Sequence, residues 1–166
     1  PAEVAEKLVD LIDLKPGDQV LEPSCGDGSL IGAVLSKQPK AEIYAFEIRG
    51  DAAATAHKKF YAPNVVINIL DFMTRKPKKS FKFVVMNPPF SRQQDIDHIL
   101  HAHKFLKSGG TLVSVAAAGI VFRQNPKAVE FRKFVAEQGG VIRELPKESF
   151  KGSGTNVNTC IVEIPA

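Results

Sequence analysis

Asn87-Pro88-Pro89-Phe90 joins an amide, two ring-locked backbone units and an aromatic ring in four consecutive residues. Consecutive prolines fix φ and stiffen the chain, so the Asn87 side-chain oxygen, the Pro88 carbonyl and the Phe90 ring keep one mutual arrangement. Such a trio suits a planar amine. An amino group on a heteroaromatic ring is a poor nucleophile because its lone pair is delocalised into the ring. Two acceptors that hold its hydrogens turn the lone pair toward an electrophile, while an aromatic side chain stacks on the ring. Out of context the same tetrapeptide reads better as a proline-terminated strand followed by a buried phenylalanine, but not where it follows the fourth strand of an α/β sheet.

Three other segments carry compatible chemistry. Glu22-Pro23-Ser24-Cys25-Gly26-Asp27-Gly28 follows a short apolar run and precedes Leu30, Ile31, Val34 and Leu35 at helical spacing. Its glycines allow a backbone to approach a ligand, although Gly26-x-Gly28 lacks the third glycine of the dinucleotide fingerprint and alone is equally a tight strand-to-helix turn. Glu47 lies about 20 residues further on, where a carboxylate can accept hydrogen bonds from both hydroxyls of a ribose; alone it is equally a solvent-exposed acid at a strand end. Asp71-Phe72 offers an acid for an exocyclic amine and a ring for a base. Together the three describe an adenosine pocket.

The elements that must position these residues can be read from periodicity. Residues 2–13 carry Val4, Leu8, Leu11 and Ile12 at helical spacing, closed by Lys15-Pro16-Gly17-Asp18. Strands are predicted at 19–22, 41–46, 64–70, 83–86, 111–116, 141–145 and 159–164. Helices are predicted after the Gly26 loop, at 50–61, at 95–106 with Ser108-Gly109-Gly110 as its stop, and at 127–138 before Gly139-Gly140. This alternation implies an α/β fold: a doubly wound, Rossmann-like, mostly parallel seven-stranded sheet with helices on both faces. No helix separates the last two strands, so the final strand is expected antiparallel. Ligands in such sheets bind beyond the carboxyl ends of the strands, where Glu22, Glu47, Asp71 and Asn87 all fall.

Composition narrows the class. A chain of 166 residues, 44% hydrophobic and 24% charged, is expected to form a single domain over 1–166, and intrinsic disorder is excluded. No stretch reaches the ~20 apolar residues of a membrane span, and PAEVAEKLVD has acids where a secretory signal has bases, so a cytoplasmic protein is expected. Cys25 and Cys160 cannot build a disulfide framework, and no Cys/His spacing matches a zinc site. His98, His101 and His103 read as a surface helix rather than a metal site. The net charge of +4 comes from Arg75, Lys76, Lys78, Lys79 and Lys82; without them 17 basic residues face 18 acidic ones. That run reads as a solvated loop away from the chemistry, with auxiliary phosphate contact as the other reading.

In these motifs the chain resembles class I S-adenosylmethionine-dependent methyltransferases, specifically the amino-methylating group that includes adenine-N6 DNA methyltransferases. The likeness covers nearly the whole chain: PAEVAEKLVDLIDLKPGDQVLEPSCGDGSL is similar to the group's opening helix and cofactor loop, FEI (46–48) to its ribose acid, LDFM (70–73) to its adenine-contacting pair and MNPPF (86–90) to its catalytic loop. The resemblance implies S-adenosylmethionine as cofactor, with Pro23, Ser24, Cys25, Gly26 and Gly28 around its methionine moiety, Glu47 on the ribose, Ile48 and Phe72 beside the adenine and Asp71 on its amine, and with Glu22 among the cofactor-binding residues. It implies that Asn87, Pro88, Pro89 and Phe90 handle the acceptor amine, with no metal, since a sulfonium is already an activated leaving group.

SFKGSGTNVNTCIVEI (149–164) is similar to the family's late hairpin, whose aromatic residue stacks on the flipped target base; Phe150 is the candidate, and covering the sheet edge is its other reading. Ser91–Gln94 with Arg92, Arg123–Asn125 and Lys147–Asn158 are the expected acceptor contacts, and Ser91–Gln94 is equally a solvated helix start. The implied activity is methyl transfer to an exocyclic amine, adenine N6 in DNA, with ribosomal RNA, a protein glutamine, or a cofactor-binding subunit inactive without its partner as alternatives. Full-length members place sequence recognition in a separate C-terminal domain. A chain ending at Ala166 is therefore expected to act with little sequence preference, to use a recognition subunit, or to be a fragment lacking residues upstream of Pro1.

Overall fold

The computed structural model describes residues 2–146 and 158–166. Five helices, α1 (Ala2–Asp10), α2 (Ser29–Lys37), α3 (Gly50–Lys59), α4 (Gln94–His103) and α5 (Pro126–Glu137), accompany seven strands. The strands are β1 (Gln19–Glu22), β2 (Glu42–Glu47), β3 (Val65–Ile69), β4 (Phe81–Met86), β5 (Leu106–Ala117), β6 (Val141–Glu144) and β7 (Thr159–Pro165). They form one sheet in the order β3-β2-β1-β4-β5-β7-β6. β1 to β5 run parallel, and β7 inserts antiparallel between β5 and β6. The sequence expectation of a mostly parallel sheet with an antiparallel final strand holds.

Alternation along the strands divides the core between two faces. Val20, Ile43, Ala45, Phe83, Val85, Val113 and Val115 pack with residues of α1, α2 and α3 on one face. Leu21, Val84, Met86, Leu112, Ala116, Val162 and Ile164 pack with residues of α4 and α5 on the other. The strand order reverses between β1 and β4, and that crevice is where an open α/β sheet takes its ligand.

One local expectation fails. Ser108-Gly109-Gly110 does not stop a helix: α4 ends at His103, and these residues lie inside β5. The pairing of β5 with β4 jumps from Phe81↔Leu106 to Phe83↔Thr111, so β5 carries a bulge. Gly109 has φ +77, and a Cβ on Gly110 would sit 2.7 Å from the Lys82 carbonyl. A Gly-Gly pair that resembles a helix cap is here a bulge that lets two backbones approach.

Candidate active site

Two adjacent cavities, joined in the sense that they share wall residues, lie at the crevice between β1 and β4. The first, about 180 Å³, lies between α1 and the loop after β1, with Val4, Leu8, Glu22, Cys25, Gly26 and Asn87 in its wall. The second, about 330 Å³, is bounded by Gly26, Glu47, Ile48, Asp71, Asn87 and Pro89. Ser24, Gly26 and Asn87 belong to both. The structure thus brings together residues from the ends of β1, β2, β3 and β4, as the strand-end reading requires.

Main-chain donors fix the acids. The Gly26 N–H donates to Glu47 Oε2 at 2.8 Å and the Arg49 N–H to Oε1 at 2.9 Å, which aims a carboxylate that is only 7% exposed. Each oxygen keeps lone-pair capacity for a further donor. The Cys25 N–H donates to the Phe46 carbonyl at 2.9 Å and ties the loop to β2. Asp71 caps the 3-10 turn Phe72–Thr74, its Oδ1 accepting from the Met73 N–H at 2.9 Å. Ile48 beside Glu47 is 66% exposed and Leu70 beside Asp71 is 37% exposed, giving the second cavity an apolar wall next to its two acids.

Glu22 is the unusual group. It is 1% exposed, and its Oε2 is buried without a hydrogen-bond partner. Burial, with Glu47 and Asp27 nearby, pushes its pKa up to about 8. Burial likewise pushes the Cys25 thiol up to about 12, reinforced by Glu22 and Glu47, so this cysteine is held as a thiol.

Asn87 and Pro89 are exposed at the end of β4, Pro88 is buried and Phe90 is half-buried against the α1–α3 face. Ser24 Oγ donates to the Asn87 carbonyl at 3.4 Å, linking the two loops. Arg92 and Gln93 follow with φ of 55 and 57, the two non-glycine residues with positive φ among those described. A third cavity, about 300 Å³, is bounded by Phe90, Arg92, Gln93, Asp95, Arg123 and Asn158. Both arginines singled out for acceptor contact therefore line one hollow that begins at Phe90.

The structure adds detail at three residues. Gly28 (φ +100) starts α2 beside the first cavity, and a Cβ there would come 2.5 Å from Phe60 Cε2, so helix packing also requires a glycine at this position. The Phe72 ring borders the second cavity but is 2% exposed, its centroid 4.8 Å from Phe105 and 5.1 Å from His101. His98, expected on a surface helix, lines the second cavity with its Nδ1 buried and unpartnered, and burial lowers its pKa. Phe150 and most of Lys147–Asn158 lie outside the described residues. Among those described, no group of three or more His, Cys, Asp or Glu gathers as metal ligands, and no helix is long and apolar enough to cross a membrane.

Sequence reasoning missed Asp95, 1% exposed, which joins the start of α4 to the end of β5. Its Oδ2 accepts from the Ala117 N–H at 2.8 Å and its Oδ1 from the Ile96 N–H at 3.1 Å. The available signal was an acid in phase with Ile99 and Ala102 on the buried side of α4.

The fold is that of S-adenosylmethionine-dependent methyltransferases, and the chain belongs to the methyltransferase small domain family, whose family model matches residues 4–140. Within that class it is 38% identical over 93 residues to the modification methylase CviBIII of Paramecium bursaria Chlorella virus NC1A, a match covering 54% of this chain and 24% of the relative. It is 28% identical over 113 residues to the malonyl-[acyl-carrier protein] O-methyltransferase of Acetivibrio thermocellus, covering 66% of this chain and 40% of that protein. Its fold matches the crystal structure of the type I restriction-modification methyltransferase subunit from Streptococcus thermophilus with a TM-score of 0.85 at 22% identity, covering 99% of this chain and 44% of the other. The chain spans less than half the length of each.

Proposed function

We propose that the chain binds S-adenosylmethionine across the two joined cavities and transfers its methyl group to an exocyclic amine, N6 of adenine in DNA. The observation that carries this reading is the position of Asn87, in the wall common to both cavities at the end of β4. Glu22 supplies the fit test. A buried, unpartnered carboxyl with a pKa near 8 awaits a cation, and the cofactor carries an ammonium and a sulfonium.

When bound, the cofactor supplies a methyl group on a leaving group that is already activated, so the chain's task is alignment. Glu22 takes the cationic end of the methionine moiety, and Glu47 accepts from the ribose hydroxyls with the capacity its two N–H partners leave. Asp71 accepts from the adenine amine, while Ile48 and Leu70 cover the ring. Asn87 Oδ1 and the Pro88 carbonyl hold the acceptor's amino hydrogens, turning its lone pair toward the methyl group; Phe90 stacks on the acceptor ring. In duplex DNA that geometry requires extrusion of the target base.

Adenine in DNA is favoured by the LEPSCGDG form of the cofactor loop, by the opening helix and by likeness to a modification methylase and a restriction-modification subunit. The test is incubation with methyl-labelled S-adenosylmethionine and a mixture of duplex DNA, ribosomal RNA and cell-extract protein, beside Asn87→Ala. Label recovered as N6-methyladenine in DNA and lost in the variant supports the reading. Label in RNA or protein replaces the acceptor, cofactor binding without transfer points to an enzyme needing its partner, and absence of cofactor binding overturns the reading.

A further inference from the structure

A doubly wound sheet covers each face with crossover helices, but the connection from β3 to β4 supplies only the 3-10 turn Phe72–Thr74 and the run Arg75–Ser80. Among the described residues, the face of β1 to β3 opposite α2 and α3 has no helix of its own. A concavity of about 550 Å³ remains, and its wall includes Tyr44, Phe46, Phe81, Arg75, Lys76 and Lys78. Tyr44, Phe46 and Phe81 are half-buried, and Arg75, Lys76 and Lys78 are exposed. The Arg75 guanidinium lies 6.0 Å from the centroid of Phe46, and His101 Nε2 donates to the Arg75 carbonyl at 2.9 Å, fixing the run against α4. Lys82, the fifth cation of the cluster, belongs elsewhere: its Nζ donates to the Gly109 carbonyl at the β5 bulge.

We propose that this concavity is a docking platform for single-stranded nucleic acid, with phosphates on Arg75, Lys76 and Lys78 and bases against Tyr44 and Phe81. Charge and composition select the occupant. Among the described residues the wall holds three cations and no carboxylate, with Glu42 at its rim held by Gln19 (Nε2 to Oε2 3.5 Å), so its excess of positive charge favours a polyanion. Four of its twelve residues are aromatic, and Gln19, Asn68 and Ser80 add hydrogen-bonding groups, whereas Leu21 and Val66 are its only aliphatic members. A docked protein helix calls for aliphatic knobs; aromatic faces with amides and cations suit bases and phosphates. None of the three cations lines the joined cavities or the third cavity. The platform would therefore hold a strand apart from the base undergoing reaction, and it does not depend on which acceptor the active site uses.

Fluorescence anisotropy with a labelled twelve-residue oligothymidylate tests this, because a probe without adenine offers no proposed acceptor to the active site. Lys76→Gln/Lys78→Gln should weaken binding at least fivefold. It should also reduce the slope of log affinity against log salt by about 1.4, roughly 0.7 for each single-strand phosphate that the variant no longer neutralises. Binding of S-adenosylhomocysteine should stay unchanged, showing that the variant is folded and that the joined cavities are intact. A 4-thiothymidine probe should photocrosslink to Tyr44 or Phe81. No binding to the wild-type chain, an unaltered slope in the variant, equal competition by polyglutamate, or crosslinks confined to Phe90 and Arg123 would each overturn the proposal.

Discussion

At Glu47 and Asp71 the carboxylate oxygens are aimed by main-chain N–H groups from Gly26, Arg49 and Met73, whereas at Gln93 and Asn125 two side-chain amides hold one another. Gln93 Oε1 accepts from Asn125 Nδ2 at 2.7 Å, and Gln93 Nε2 donates back to Asn125 Oδ1 at 3.4 Å, both exposed. The backbone cannot withdraw its donors without unfolding the turn that presents them; an exposed amide pair can exchange partners with water or a base edge at little cost. Arg92 and Gln93 also occupy left-handed conformations that cost roughly 1–2 kcal/mol each for residues with a Cβ. The proposed cofactor half is thus preset by main chain, and the proposed acceptor half stores strain beside exchangeable contacts.

Asn87 stands on the boundary, and its removal should separate the halves most sharply. Asn87→Ala is expected to lower single-turnover methyl transfer about 10²–10³-fold, the scale for deleting one oriented polar group at a reacting centre. Binding of S-adenosylhomocysteine by calorimetry should change less than about threefold. A large loss of cofactor affinity would instead make Asn87 part of the preset half.

Glu22 tests how far presetting goes. Its pKa in the folded chain, about 8, lies above its ordinary value of 4.5, so the native state holds a proton that the unfolded chain releases between those values. The stabilising contribution is complete below pH 4.5 and is lost as pH rises toward 8, by about 1.4 kcal/mol per unit within that window. Thermal melts of the cofactor-free protein should show this decline, and Glu22→Gln should flatten it. Cofactor binding at pH 7 should release close to one proton as the ammonium draws the carboxyl into its charged form, read as a dependence of binding enthalpy on buffer ionisation. Zero release would separate Glu22 from the ligand's cation.

The two halves were also unequally legible in the sequence. Periodicity located seven strands and five helices because both sheet faces are buried and each element follows one period. Strand-end polar residues located the walls of the first two cavities, since a parallel sheet places every strand's carboxyl end on one edge. At Gly28 a glycine facing a ligand and one facing Phe60 look alike in one dimension, and only the structure shows that a Cβ there would meet the Phe60 ring. The glycines at 109 and 110 were misjudged because a cap and a bulge use the same residue. Asp95 and His98 escaped because their meaning depends on contacts with Ala117 and the second cavity, made across long sequence separations.

Glu47→Gln examines the preset half with a smaller change. A glutamine keeps one acceptor but places an amide donor opposite a backbone N–H, and it gives up hydrogen bonds to a charged oxygen worth roughly 1.5–3 kcal/mol each. Affinity for S-adenosylhomocysteine should fall about 10- to 100-fold, while transfer at saturating cofactor should fall by much less. An equal loss in both measurements would mean that Glu47 aims the acceptor half as well.

The smallest effect isolates the strain itself. Arg92→Gly and Arg92→Ala remove the same cation from the wall of the third cavity, but only glycine adopts φ 55 without a Cβ penalty. The glycine variant should be more stable than the alanine variant by about 1 kcal/mol, a difference of about 2–4 °C in melting temperature for a domain of this size. Part of the gain is offset by the greater freedom of glycine in the unfolded chain, which is why the comparison is between two variants and not with wild type. If the two melt together, the left-handed pair is not a store of strain, and the contrast between the halves reduces to their hydrogen bonds.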